Sequence, residues 1–375
     1  MTVPIQKKVL RGSSIRLDYA VAAAAGIFSA VLLPASGYCE NLRFVFLADS
    51  RSETRPTDPS NLDLAINTPV LNAIIAQIQL LSPPPAFVVF GGDMAYRGCF
   101  TFSDTPYYIF QTFKDLFAPL TKAGIPLYTA IGNHELYDEH SLGFLLANQT
   151  QYQQAFPENP SNGPPGYQQL VYSFSSLGGD AFFAVLDPYY LTADVPNPTL
   201  GGTIDPPQLA WLAAQVAQTT ATHKFLFIHT PYYYVTSGDP SEPPSSPDIT
   251  YTNLWSLLDN NRFDFYACGH QHLYSRKAID SAIAPNPQLN PPIQWKNNVV
   301  QLLNGTCGAT IDPDNPIYDP NLWHISQTAN TYYFSVVDIN GSHLRVTSYR
   351  GNTGAYTPFD CFPSGVPPVN SLLLD

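Results

Sequence analysis

Phe87-Val88-Val89-Phe90-Gly91-Gly92-Asp93-Met94-Ala95-Tyr96 is the stretch whose reading decides the fold. Its apolar start reads as a strand buried on both faces, ended by two glycines ahead of a carboxylate. In open α/β sheets ligands bind beyond the carboxyl ends of the strands, which is where Asp93 stands. The construction recurs four times. Residues 42–48 run into Asp49, 125–131 into Asn133-His134, 225–228 into His229, and 263–268 into Gly269-His270-Gln271-His272. Five apolar runs thus deliver oxygen or nitrogen donors to what reads as one edge of one sheet. A metal site accounts for all five at once; buried polar residues satisfied by hydrogen bonds are the alternative.

Working outward, Thr68-Pro69 supplies a cap and first-turn proline for a helix with apolar positions at Val70, Leu71, Ile74, Ile75 and Ile78. Thr105-Pro106 reads as the start of a second helix through about Lys122, closed by Gly124. The resulting β-α-β-α-β order predicts a parallel core. Further on, 167–176 and 181–187 read as a hairpin, 206–218 as a helix, and 254–260 as a short helix. Residues 299–303, 331–338 and 343–349 read as closing strands, the last two joined at Asn340-Gly341. No linker divides the chain, so 38–375 reads as one domain with 351–375 as its tail.

The composition fits a globular protein, with 45% hydrophobic and only 12% charged residues among 375. A net charge of −12 argues against duplex nucleic acid, whose binding needs a basic face, while bound cations would still admit a small phosphate. Lys7, Lys8, Arg11 and Arg16 precede the apolar run 20–33 and the small residues Ala35-Ser36-Gly37. Residues 1–37 therefore read as a secretory signal cleaved after Gly37, with an uncleaved anchor as the alternative. The run is shorter than the ~20 residues a spanning helix needs, so the mature protein is expected to be secreted or periplasmic, without stable membrane insertion. Export permits disulfides, but five cysteines without C-x-x-C spacing leave the pairing open, with Cys99 and Cys361 the one pair considered. The oligomeric state is not legible.

Asp49, Asp93, Asn133, His229, His270 and His272 offer the mixed oxygen and imidazole donors that borderline and hard cations accept. The two oxygens of Asp93 can bridge two ions, roughly 3.5–4 Å apart in two-metal hydrolases, a geometry suited to in-line displacement at phosphorus. With these residues in view, the order Asp49, Gly92-Asp93, Gly132-Asn133-His134-Glu135, His229, Gly269-His270-x-His272 resembles the calcineurin-like metallophosphoesterases. That resemblance implies an α/β (α+β by some schemes) fold: a four-layer β-sandwich flanked by helices, its metal site at the carboxyl ends of the core strands. It implies Asp49, Asp93 and His272 on a first metal and Asp93, Asn133, His229 and His270 on a second. His134 would contact the phosphate or protonate the leaving oxygen.

One position departs from the family pattern. Arg51 stands where most members have a histidine ligand. Gly92-Asp93-Met94-Ala95-Tyr96 looks like the Gly-Asp-x-x-Tyr element of purple acid phosphatases, which implies Tyr96 as a tyrosinate ligand to Fe(III) with a divalent Fe, Zn or Mn partner. Tyr96 packing in the core is the alternative. Arg51 reads as a phosphate donor or as the partner of a nearby carboxylate. Glu135 reads as orienting an imidazole or forming a salt bridge, not as a base. Tyr232-Tyr233-Tyr234 reads as core at Tyr233 and as an aromatic wall at Tyr232 and Tyr234, with Tyr232 a substrate-binding candidate; residues 238–248 read as a stiff lid. The expected function is hydrolysis of small phosphate esters by a metal-activated water. A nucleotide-specific phosphodiesterase or nucleotidase, and a non-catalytic binding protein on a decayed scaffold, are the alternatives.

Overall fold

In the computed structural model the described residues are 41–138, 143–192, 201–236, 249–280, 295–312, 316 and 323–363. The leader 1–37, Cys39, His140, the lid 238–248 and the end of the tail, 364–375, lie outside them. The first half contains β1 (Asn41–Leu47), α1 (Thr68–Gln79), β2 (Phe87–Phe90), β3 (Cys99–Phe102), β4 (Thr105–Tyr108), α2 (Phe110–Leu116), α3 (Ala118–Lys122), β5 (Leu127–Thr129), α4 (Asn133–Leu136) and α5 (Leu146–Ala155). Then come β6 (Tyr172–Ser175), β7 (Ala181–Val185), α6 (Pro206–Gln218), β8 (His223–Phe227), α7 (Ile249–Asn260), β9 (Phe265–Cys268), β10 (Tyr274–Ile279) and β11 (Val299–Asn304). The chain closes with β12 (His324–Ser326), β13 (Tyr332–Asn340), β14 (His343–Gly351) and β15 (Thr357–Phe362).

The donor-bearing strands do not share one sheet, which corrects the sequence reading. β1, β2 and β5 run parallel in a sheet of order β15-β14-β13-β1-β2-β5, whereas β8 and β9 belong to a second sheet of order β12-β10-β11-β9-β8-β7-β6. Local pattern cannot reveal this split, because a strand's neighbours come from anywhere in the chain. β1 itself pairs antiparallel with β13, Phe44 opposite Val337.

Alternation along β1 shows how the layers form. Val45 and Leu47 face one apolar layer with α1, α2, α3 and α5, while Phe44 and Phe46 face a second layer between the sheets. A third layer packs the far face of the second sheet against α6 and α7, with Leu212, Leu254 and Trp255 buried there. The order is therefore helices, sheet, sheet, helices. The middle layer is aromatic. Phe44 stacks on Phe87 at 5.2 Å and meets Phe225 edge-on at 5.2 Å, and Phe183 stacks on Phe225 at 5.2 Å. Such pairs add about 0.5–1.5 kcal/mol each beyond burial, so the two sheets are held in fixed register beneath the site.

Two further readings change. Thr105-Pro106 starts no helix: Ser103 and Asp104, at φ +48° and +61°, turn β3 into β4, with Phe102 opposite Thr105. That is a two-residue hairpin with both central φ values positive, made without the glycine that usually signals it. Helix follows only from Phe110, and Gly124 (φ +82°) lies just past its second segment. Among the described residues Cys99, Cys268, Cys307 and Cys361 form no disulfide with one another, so the considered pair is not bridged. Cys361 instead lies beside the Thr347 hydroxyl at 3.8 Å.

His223, at the start of β8, joins the second sheet to the β13–β14 turn. Its Nε2 lies 2.9 Å from the Gly341 carbonyl and its Nδ1 3.3 Å from Asp264 Oδ2. Burial pushes this imidazole down and Lys224 opposes its charge, but Asp264 and the Gly341 carbonyl prevail and raise it. A raised folded-state value means stability fully present below the unfolded value, near 6.5, and lost as pH climbs through the folded one. Thermal melts of His223→Gln against the parent should therefore show a deficit at pH 6 that shrinks by pH 8; a constant deficit would contradict the charge argument.

Candidate metal centre

The described strand ends bring two groups of donors together. Ligand atoms of Asp49, Asp93 and His272 lie within 4.8 Å of one another, and so do those of Asp93, His229 and His270. Asp93 belongs to both. The groups straddle the two sheets, and main-chain bonds lock the junction. The His270 N–H donates to Asp49 Oδ1 and Oδ2, each at 3.1 Å, and the Cys307 N–H to the Ala48 carbonyl at 2.8 Å.

The backbone is bent to make this possible. Asp49, Asp93 and His270 have φ of +61°, +56° and +74°, a region costing non-glycine residues on the order of 1 kcal/mol or more each. Gly92 (φ +96°) leaves room the site needs: a Cβ there would lie 2.7 Å from both His229 Nδ1 and the Gly132 nitrogen. A Cβ on Gly132 would overlap Asp93 Oδ1. Glu135, wholly buried, accepts the N–H groups of Asp93 at 2.8 Å, Met94 at 2.7 Å and Gly132 at 2.7 Å. It thus holds the Asp93 loop to the Asn133 loop through main-chain N–H groups, where the sequence reading expected an imidazole or a salt bridge.

Each donor is aimed. His229 Nδ1–H donates to the Gly91 carbonyl at 2.8 Å, which leaves the Nε2 lone pair pointing inward, 3.3 Å from Asp93 Oδ1. That Nε2 is fully buried and makes no hydrogen bond. The Asn133 amide donates to the Tyr137 hydroxyl at 2.8 Å and so turns Oδ1 toward His270 Nδ1, 3.1 Å away. Burial, and then the charge of Asp93, pushes the Asp49 carboxyl well above its ordinary range. Asp93 is also buried, but the imidazoles of His229 and His134 beside it outweigh this and hold it well below its ordinary range. An orphaned inward lone pair and two crowded carboxylates are what a cation would satisfy, so the residues fit a dinuclear centre.

His134 stands at its rim. Its Nδ1–H donates to the Tyr96 carbonyl at 2.7 Å, its Nε2 lies 3.9 Å from Asp93 Oδ2, and its main-chain N–H donates to Asp93 Oδ1 at 3.0 Å. Burial, despite Asp93, lowers the imidazole to about 3, so at rest Nε2 offers a lone pair. Arg51 faces the same cluster, its charge acting on Asp49, Asp93, His134 and His272, while Nη1 pairs with Glu53 at 2.6 Å. Its buried Nε makes no hydrogen bond. Tyr96 meets its neighbours through its carbonyl and its ring, which lies under the Arg97 guanidinium at 4.7 Å and 6.4 Å from the His134 ring.

Tyr232 is not a wall of the site. It is buried among Trp255, at 5.0 Å, and Trp295, at 6.3 Å, with its hydroxyl 3.2 Å from that of Thr252. Tyr234 stands closer, half-buried and edge-on to His270 at 6.1 Å. The Gln301 side chain accepts the N–H groups of Tyr232 and Tyr233, and that of Gln271 accepts the Val235 N–H, which fixes the main chain of this run. Arg97 went unread in the sequence although it directly follows Tyr96; its guanidinium lies between the rings of Tyr96 and Tyr137, at 4.7 and 4.6 Å. Asp312, against His272, carries no spacing signal at all.

The sequence profile described as calcineurin-like phosphoesterase matches residues 43–274. Among solved structures, purple acid phosphatase PPD1 from yellow lupin (Lupinus luteus) seeds aligns with a TM-score of 0.55 and 18% identity, covering 87% of this chain and 54% of that one. The structure of PhoD aligns at 0.51 and 14% identity, covering 87% and 73%. The chain thus spans about half the length of the lupin protein, and these likenesses are of fold. No curated protein matches the sequence.

Proposed function

Because the chain belongs to the calcineurin-like phosphoesterase family, we propose that it is an exported, dinuclear-metal hydrolase of small phosphate esters, of the purple acid phosphatase kind. The observation that carries this reading is the pair of donor groups sharing Asp93 at the strand ends. Asp49, Asp93 and His272, with Tyr96, would hold the first metal; Asp93, Asn133, His229 and His270 would hold the second. Two ions so bound supply an activated water and neutralise charge at phosphorus.

The chain's own residues do the rest. Arg51, with an unused buried N–H, would bind a phosphate oxygen, trading its contact with Glu53 for a bidentate one. His134 would take up a proton from solvent at Nε2 as the phosphoryl charge approaches and pass it to the leaving oxygen as that oxygen's bond to phosphorus breaks. Tyr96, three residues after Asp93, together with Arg51 in place of a histidine, favours Fe(III) as the first metal. Among the described residues no helix is long and apolar enough to cross a membrane.

Protein reconstituted with iron and zinc should turn over p-nitrophenyl phosphate or its bis-ester and show a visible tyrosinate-to-iron band. Two bound metals without turnover of either ester, from acid to neutral pH, would favour the decayed-scaffold reading. Turnover without the band would remove Tyr96 from the ligand set.

A further inference from the structure

The loop that follows β11 brings a carboxylate against the back of His272. Asp312 Oδ2 accepts the His272 main-chain N–H at 2.7 Å, and Oδ1 lies 3.4 Å from His272 Nδ1. The Asp312 N–H returns a bond to the His272 carbonyl at 3.1 Å, and Gln327 Nε2 reaches the Asp312 carbonyl at 3.4 Å. On the far edge of the ring, Nε2 lies 3.8 Å from Asp49 Oδ1. The His272 side chain is 8% exposed, so the ring sits clamped between two carboxylates.

A neutral imidazole carries one proton. A carboxylate facing Nδ1 draws the proton to that atom and leaves the Nε2 lone pair for whatever lies between Asp49 and Asp93. We propose that Asp312 is a positioning residue for the first metal, holding His272 in the Nε2-ligating tautomer and adding negative charge behind it; this rests on the dinuclear reading above. The two sites then differ in kind. The first has Asp49, shared Asp93 and a carboxylate-backed imidazole, whereas His229 in the second is backed only by the Gly91 carbonyl. Asp312 also lies beyond residues 43–274, so the family match alone does not contain the complete site.

The test is calorimetric titration of metal-free full-length protein with Zn(II), for the parent, Asp312→Asn, Asp312→Ala and His272→Ala. His272→Ala identifies the first-site event by removing it. Asp312→Asn should weaken that event ~10–100-fold and leave the other within about twofold, as expected for a site it does not touch. It should be no milder than Asp312→Ala. Its one oxygen stays on the His272 N–H, and its NH2 faces Nδ1, selecting the tautomer whose Nε2 already bears hydrogen. The double variant Asp312→Asn/His272→Ala should bind as His272→Ala alone. Parent affinity at both sites in Asp312→Asn, or equal weakening of both with a lowered melting point of the metal-free protein, would overturn the proposal. A parent that binds no zinc would overturn the metal-centre reading with it; a parent that binds two ions and hydrolyses ester while Asp312→Asn binds identically would overturn this inference alone.

Discussion

Asp93→Asn is expected to reduce ester turnover by ~10³-fold or more and to lower metal content from two ions per chain toward one or none. Among the described residues Asp93 is the one side chain common to both donor groups, so its charge can face two cations at once. Asparagine is the informative replacement. It tolerates the left-handed backbone at φ +56° far better than alanine would, and it keeps an acceptor for the His134 N–H. The main-chain bond from residue 93 to Glu135 needs no side chain and persists. A correctly folded variant by circular dichroism, retaining two tightly held ions and more than a tenth of parent activity, would show that Asp93 bridges nothing.

His134→Ala is expected to behave differently: both ions retained, kcat reduced ~10²–10⁴-fold. The main-chain N–H that holds Asp93 survives this change, and neither donor group includes the imidazole. If His134 protonates the leaving oxygen, the loss should be mild for p-nitrophenyl phosphate, whose leaving group needs little help, and severe for an alkyl phosphate. Equal losses on both esters would assign His134 to phosphate binding alone. Loss of metal would move it into the ligand set.

Strand followed by donor is legible in one sequence because it is local. An apolar run, a glycine or two, and a carboxylate or imidazole fall within ten residues, as at 87–96. What lies between distant segments is not local. Nothing near β1 announces β13 as its neighbour, so the division into two sheets escapes a reading by pattern. The hairpin at Ser103-Asp104 escapes because its positive φ values fall on serine and aspartate, while the following Thr-Pro imitates a helix start. Tyr232 escapes because the side chains that fix its main chain come from distant segments, Gln301 on β11 and Gln271 in the loop after β9. Asp312 has an ordinary sequence context and acquires meaning only when its loop folds back onto His272.

The pairing of β1 with β13 also sets an order of assembly. A nascent chain leaving the ribosome presents Phe44 long before Val337 exists, so one rim of the earliest described strand must wait, its N–H and C=O groups unpaired, until about the last eighth of translation. Contacts of such sequence separation are slow to form, and the exposed rim is a template for sticking to a neighbouring chain. A chaperone that keeps this strand covered until synthesis ends should raise the yield of folded protein.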